Sequence, residues 1–133
     1  MNRVYVVDDS DFVRDRLIEM LSELEEVEIV GQTGDPREAL AAIRETGPHV
    51  VILDIRLPGR SGVEVLRDLK KEKPSPIVII LTNYPYPQYR KECTEAGADY
   101  FFNKSTEFNK IVEVLNCLTM KTQDCGEKSY AKQ

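Results

Sequence analysis

Residues 49–62, HVVILDIRLPGRSG, open with a short, almost unbroken apolar run that stops at Asp54. A run of Val, Ile and Leu without alternation is how a strand reads when both faces of a parallel sheet are covered. Beyond it, Ser61 with Glu64 forms a capping box for a helix that points Val63, Leu66 and Leu69 inward. The same punctuation recurs on both sides, in RVYVVD (3–8), VEIVGQ (27–32), PIVIILT (76–82) and DYFFNK (99–104). Helical spacing fills the intervals. In 11–24, Val13, Leu17, Met20, Leu21 and Leu24 share a face; in 35–46, Asp35 caps, Pro36 opens the helix and Ala39, Leu40 and Ile43 form the stripe. Helix 87–96 is weaker, with Tyr89, Cys93 and Ala96 in phase and Gly97 ending it, while 106–119 carries Phe108, Ile111, Val112, Leu115 and Leu118. Strand and helix alternate five times, which predicts an α/β fold: a five-stranded parallel sheet with helices on both faces.

Composition narrows the function. The 133 residues make one domain, with 1–120 folded and 121–133 read as a polar tail without an output domain. Eighteen basic against 23 acidic residues leave a net charge of −5, which argues against a surface built for nucleic-acid backbone. No apolar run approaches the ~20 residues of a membrane helix, and no secretion signal opens the chain. Three cysteines without metal spacing and a single histidine suggest a reducing, cytoplasmic setting rather than a disulfide framework or a zinc site.

The strand ends carry the chemistry. In an open α/β sheet, ligands sit beyond the carboxyl ends of the strands. Those ends are Asp8 and Asp9, Asp54, Thr82 and Lys104. Taken singly, each has a plain explanation, since Asp turns or caps a chain, Thr suits a strand, and Lys is solvated. Four strands of five ending this way is a constellation. Carboxylates brought together repel, and a divalent cation relieves them; all-oxygen ligands on an open site suit Mg²⁺. An Asp beside that ion, facing a Lys and a hydroxyl, has the equipment of a nucleophile toward a phosphoryl group.

These motifs, VYVVDDS (4–10), VVILDIRLPGRSG (50–62), VIILTN (78–83) and GADYFFNKS (97–105), resemble the receiver domain of two-component response regulators, including its single-domain chemotaxis type. The resemblance covers about 3–119 and implies a flavodoxin-like sheet of order 2-1-3-4-5. It implies that Asp54 is the phosphoacceptor and that Asp8, Asp9, Asp54 and the Arg56 carbonyl hold one Mg²⁺. It further makes Thr82 the switch hydroxyl, Phe101 the switch aromatic and Lys104 the phosphoryl-contacting lysine, with Pro58 and Gly62 shaping the loop. The implied partners are a sensor histidine kinase or phosphotransfer protein upstream and an unidentified protein downstream. Neither nucleic acid nor membrane insertion is expected, and the state is a monomer or a phosphorylation-dependent dimer. The protein is then no enzyme beyond gaining and slowly losing its own phosphoryl group.

Two departures accompany the match: Ser105 follows the lysine where the family most often has proline, and Asn83 follows Thr82 where a smaller residue is usual. Arg56 and Asn83 are candidate modulators of the site, with the Arg56 guanidinium expected to bend back onto Asp8, Asp9 or Asp54. The implied output face is helix 4, strand 5 and helix 5, including Tyr89, Cys93, Tyr100, Phe101 and Asn109. The run NYPYPQY adds Tyr84 and Tyr86 to a candidate partner patch with Tyr89 and Tyr100. Two other functions compete. One is a receiver-like module acting without phosphorylation; the other is a Mg²⁺-dependent phosphohydrolase, disfavoured because its two aspartates are wanted two positions apart.

Overall fold

The computed structural model describes residues 2–57, 60–84 and 86–119. Five parallel strands form the sheet: β1 (Asn2–Val7), β2 (Val27–Thr33), β3 (Val50–Leu53), β6 (Ile77–Thr82) and β7 (Tyr100–Asn103). A two-stranded antiparallel ribbon, β4 (Arg56–Leu57) and β5 (Arg60–Ser61), follows β3 directly. The order β2-β1-β3-β6-β7 is the expected 2-1-3-4-5 once the ribbon is set aside. Both neighbours of β1 and of β3 run parallel to it, which leaves Val7 and Leu53 ending side by side.

The helices are α1 (Asp11–Ser22), α2 (Pro36–Thr46), α3 (Gly62–Leu69), α4 (Pro87–Glu95) and α5 (Lys110–Thr119). Each apolar run serves two cores at once because side chains alternate across a strand. Tyr5, Val7, Val51, Leu53, Val78, Ile80 and Phe101 pack with α2, α3 and α4. Val4, Val6, Val50, Ile52, Ile79, Leu81, Tyr100 and Phe102 pack with α1 and α5. The caps follow from sequence. Asp35 accepts from the Arg37 N–H ahead of Pro36, Ser61 accepts from Val63 N–H, and Gly97 takes φ 104° after α4, a conformation glycine adopts without strain. Among the described residues, no helix is long and apolar enough to cross a membrane.

Two expectations are corrected. The last helix begins at Lys110 rather than 106, because residues 104–109 are occupied by turns held by Asn103 and Glu107. Tyr100 and Cys93 are fully buried and cannot belong to an outer face: Tyr100 stacks on Phe102, and burial pushes the Cys93 thiol up to about 12. The alternation of YFF explains Tyr100, since its ring points into the α1–α5 core. Pro58 and the tail 121–133 lie outside the described residues.

Candidate phosphoacceptor site

Asp54 is the first residue beyond β3, and its N–H donates to the Val7 carbonyl at 3.0 Å, extending the β1–β3 ladder by one bond. That bond fixes the carboxylate at the sheet edge. Its Oδ1 accepts from Arg56 N–H at 3.2 Å, which turns the chain into the ribbon. Gly62 then passes so close that a Cβ there would stand 2.1 Å from the Asp54 carbonyl, so only glycine fits. This is a physical ground for the loop-shaping role expected of Gly62.

Asp8 is placed by the same logic beyond β1, with its N–H on the Thr33 carbonyl at 3.1 Å. Its Oδ1 accepts from Ser10 N–H at 2.9 Å, and Ser10 in turn caps α1 through Val13 N–H. Asp9 stays exposed, yet one oxygen from each of Asp8, Asp9 and Asp54 lies within 4.8 Å of the others. Lys104 joins them. Its Nζ is 2.7 Å from Asp8 Oδ2 and 2.9 Å from Asp54 Oδ2, with the lysine side chain only 8% exposed. The Lys104 backbone N–H donates to the Thr82 carbonyl at 2.8 Å, and its peptide to Ser105 is trans.

The electrostatics are unsettled by design of the neighbourhood. Burial raises the Asp54 pKa above the ordinary carboxylate value and outweighs the opposing pull of Lys104, while Asp8 adds to the rise. Burial also works to lower the Lys104 pKa, but the two carboxylates win and raise it. One ammonium serves two buried carboxylates.

Thr82 is fully buried at the end of β6, with its hydroxyl oxygen accepting from Tyr84 N–H at 2.9 Å. Asn83 and Tyr84 line an open cleft of about 370 Å³ with Asp9, Asp54, Arg56 and Lys104. The Arg56 side chain is a correction. Its guanidinium lies over the Tyr84 ring at 4.5 Å rather than on the carboxylates, whose cationic partner is Lys104. Tyr84, Tyr86 and Tyr89 form a tilted aromatic series with centroids 6.5 and 5.8 Å apart. Phe101 is fully buried, with the Arg90 guanidinium of α4 over its ring at 4.7 Å. Sequence reading missed Arg90 and Ser10, and also Arg14, which donates to the Asp8 carbonyl. Of these only Ser10 carried a sign, as a hydroxyl just before a helical stripe.

Residues 4–116 match the response regulator receiver domain. The chain belongs to that family. It is 33% identical over 115 residues to the response regulator GacA of Pseudomonas protegens, a match covering 86% of this chain and 54% of that protein. It is 38% identical over 100 residues to a protein-glutamate methylesterase/protein-glutamine glutaminase of Hydrogenovibrio crunogenus, covering 75% of this chain and 24% of that one. Its fold superposes on a DNA-binding response regulator of the LuxR family from Staphylococcus aureus with a TM-score of 0.82, at 28% identity, over 90% of this chain and 99% of the other. This receiver domain therefore spans about half the length of its GacA relative, and family membership implies signalling by phosphorylation.

Proposed function

We propose that this receiver domain is a switch operated by phosphorylation of Asp54. The observation that carries the reading is the shared ammonium: Lys104 Nζ on both Asp8 and Asp54, beside the third carboxylate of Asp9. Three carboxylates against one ammonium leave two negative charges, which a divalent cation cancels. Oxygen donors on an open cleft suit Mg²⁺, held by Asp8, Asp9, Asp54 and the Arg56 carbonyl. Bound there, the ion supplies positive charge for the equatorial oxygens of a transferring phosphoryl group.

The chain's own groups perform the remaining work. As the phosphorus–nitrogen bond of a donor phosphohistidine breaks, an Asp54 carboxylate oxygen forms the new bond to phosphorus, and the imidazole leaves with its electron pair. Lys104 exchanges its Asp54 contact for a phosphoryl oxygen while keeping Asp8. Thr82 turns its hydroxyl from the Tyr84 N–H toward the phosphoryl group, which loosens the link between β6 and the segment leading to α4. Phe101 is already buried under Arg90, so the change passes to the face of α4, β7 and α5 through α4 rather than through the swing of an exposed ring. Tyr84, Tyr86 and Tyr89 border that face as a patch for a downstream protein. Arg56 and Asn83, at the mouth of the cleft, modulate the access of water to the phosphorylated aspartate.

In this reading the donor is a sensor histidine kinase or phosphotransfer protein in the cytoplasm. The domain neither binds nucleic acid nor turns over an external substrate, and it works as a monomer or a phosphorylation-dependent dimer. Intact-mass analysis after incubation with an acyl phosphate and Mg²⁺ tests the central step. One added phosphoryl group is expected on the wild type and none on Asp54→Ala. Equal labelling of the two proteins overturns the assignment, and steady hydrolysis of the donor without labelling favours a phosphohydrolase.

A further inference from the structure

The backbone on either side of Lys104 is held by an arrangement that the phosphoacceptor assignment does not require. Asn103 ends β7 opposite Thr82. Its Oδ1 accepts from Ser105 N–H at 2.8 Å, so the side chain folds across Lys104 in an Asx turn. Its own N–H donates to Glu107 Oε1 at 3.0 Å, and its carbonyl accepts from Glu107 N–H at 2.8 Å. Glu107 Oε2 lies 3.4 Å from Lys110 Nζ, which ties the clamp to the first residue of α5. Three bonds thus close around one residue, and the Lys104 N–H is fixed separately on the Thr82 carbonyl. A lysine side chain has four rotatable carbons and loses much freedom when pinned at its tip. Fixing its Cα leaves less to be lost when Nζ meets two carboxylates. The turn also depends on the N–H of Ser105, a donor that proline at that position lacks.

We infer that Asn103, braced by Glu107, is a positioning residue for Lys104, setting the reach of its ammonium to Asp54. The inference rests on the reading of Asp54 as phosphoacceptor and deepens it by naming what holds the cationic partner. The test measures the rate of Asp54 phosphorylation by an acyl phosphate with Mg²⁺ on the full chain. Asn103→Ala should slow it about tenfold, a change of ~1.4 kcal/mol in the barrier. Asn103→Asp, which keeps the acceptor, should retain most of the rate. In a Lys104→Ala background, Asn103→Ala should have no further effect, because the clamp acts through the lysine. An undiminished effect in that background, or an Asn103→Asp variant as slow as Asn103→Ala, overturns the inference and leaves Asn103 a structural residue. Should Asn103→Ala fail to fold, Glu107→Ala carries the same expectations, with Glu107→Gln as its conservative partner. The nitrogen-15 signal of the Lys104 ammonium gives a readout without phosphorylation: it should shift in Asn103→Ala, and an unchanged signal refutes the clamp. An unlabelled wild type would instead refute the phosphoacceptor reading, so the two failures are distinct.

Discussion

The two ends of the sheet each hold a lysine against aspartate, and they use the pair in opposite ways. At the amino ends of the strands, Lys70 Nζ meets Asp99 Oδ2 at 2.7 Å and the Pro76 carbonyl at 2.8 Å. Asp99 Oδ2 also accepts from Val78 N–H at 2.9 Å. One cation faces one anion, backbone groups complete both, and α3, β6 and the turn before β7 are tied together. Both side chains are about one-fifth exposed, so water remains within reach. At the carboxyl ends, Lys104 is divided between Asp8 and Asp54, both more deeply buried, and Asp9 adds a third carboxylate nearby. The first arrangement is complete as it stands. The second is held short of neutrality, at the edge where α/β folds bind ligands.

Removing each lysine separates the two cases most sharply. Lys104→Met leaves Asp8 and Asp54 buried against one another, and losing one partner of a buried ion pair costs about 3–5 kcal/mol. In urea denaturation without divalent cations at neutral pH, Lys104→Met should lose several times more stability than Lys70→Met, whose Asp99 still accepts from Val78 N–H. The deficit should shrink as pH falls, because burial already raises the Asp54 pKa and the lost ammonium raises it further, so mild acid neutralises the carboxylate. Equal losses at the two ends would erase the distinction.

A smaller effect probes the complete end directly. Asp99→Ala strips Lys70 of its anion and Val78 N–H of its acceptor. Leaving such groups unmade costs roughly 1–3 kcal/mol, and partial exposure favours the lower part of that range. Urea denaturation at neutral pH measures the loss, which should stay below that of Lys104→Met. A loss equal to that of Lys104→Met would mean that the two ends hold their pairs alike.

How far the sequence discloses this contrast depends on the length of the side chain involved. Asp8, Asp54, Thr82 and the Lys104 backbone are legible because a parallel sheet delivers the ends of its strands to one edge, whatever the details. Lys104 is a long side chain, but the carboxylates facing it leave one reasonable target. Arg56 has no such constraint from its neighbours in sequence. Its guanidinium found the ring of Tyr84, 28 positions away, and only the ribbon geometry sets that encounter. The clamp around Lys104 was hidden for another reason. Phe108 and Ile111 fit a helical stripe beginning at 106, whereas Asn103 and Glu107 draw residues 104–109 into turns before α5 begins. Short polar side chains compete with helix by bonding the local backbone, and here they win.

The last and smallest effect has the opposite sign to the others. The folded state holds the Asp54 proton to higher pH than the unfolded chain does, since burial raises its pKa despite Lys104. The native state therefore binds more protons than the unfolded state over the interval between the ordinary carboxylate value and the raised one. Stability must fall as pH rises through that interval, and the ionised Asp54 remains a cost at neutral pH. Asp54→Asn removes the charge while keeping an oxygen for Arg56 N–H, and it leaves Lys104 its contact with Asp8. Without divalent cations the variant should be more stable than wild type at pH 7, because the cost of the buried charge is gone. Its melting temperature should rise by a few degrees, roughly 4–8 °C per kcal/mol for a domain near 100 residues. The gain should vanish at acid pH, where wild-type Asp54 is itself neutral. A variant less stable than wild type at pH 7 would mean that the Lys104 contact outweighs burial at Asp54, and the carboxyl end of the sheet would then be as complete as the amino end.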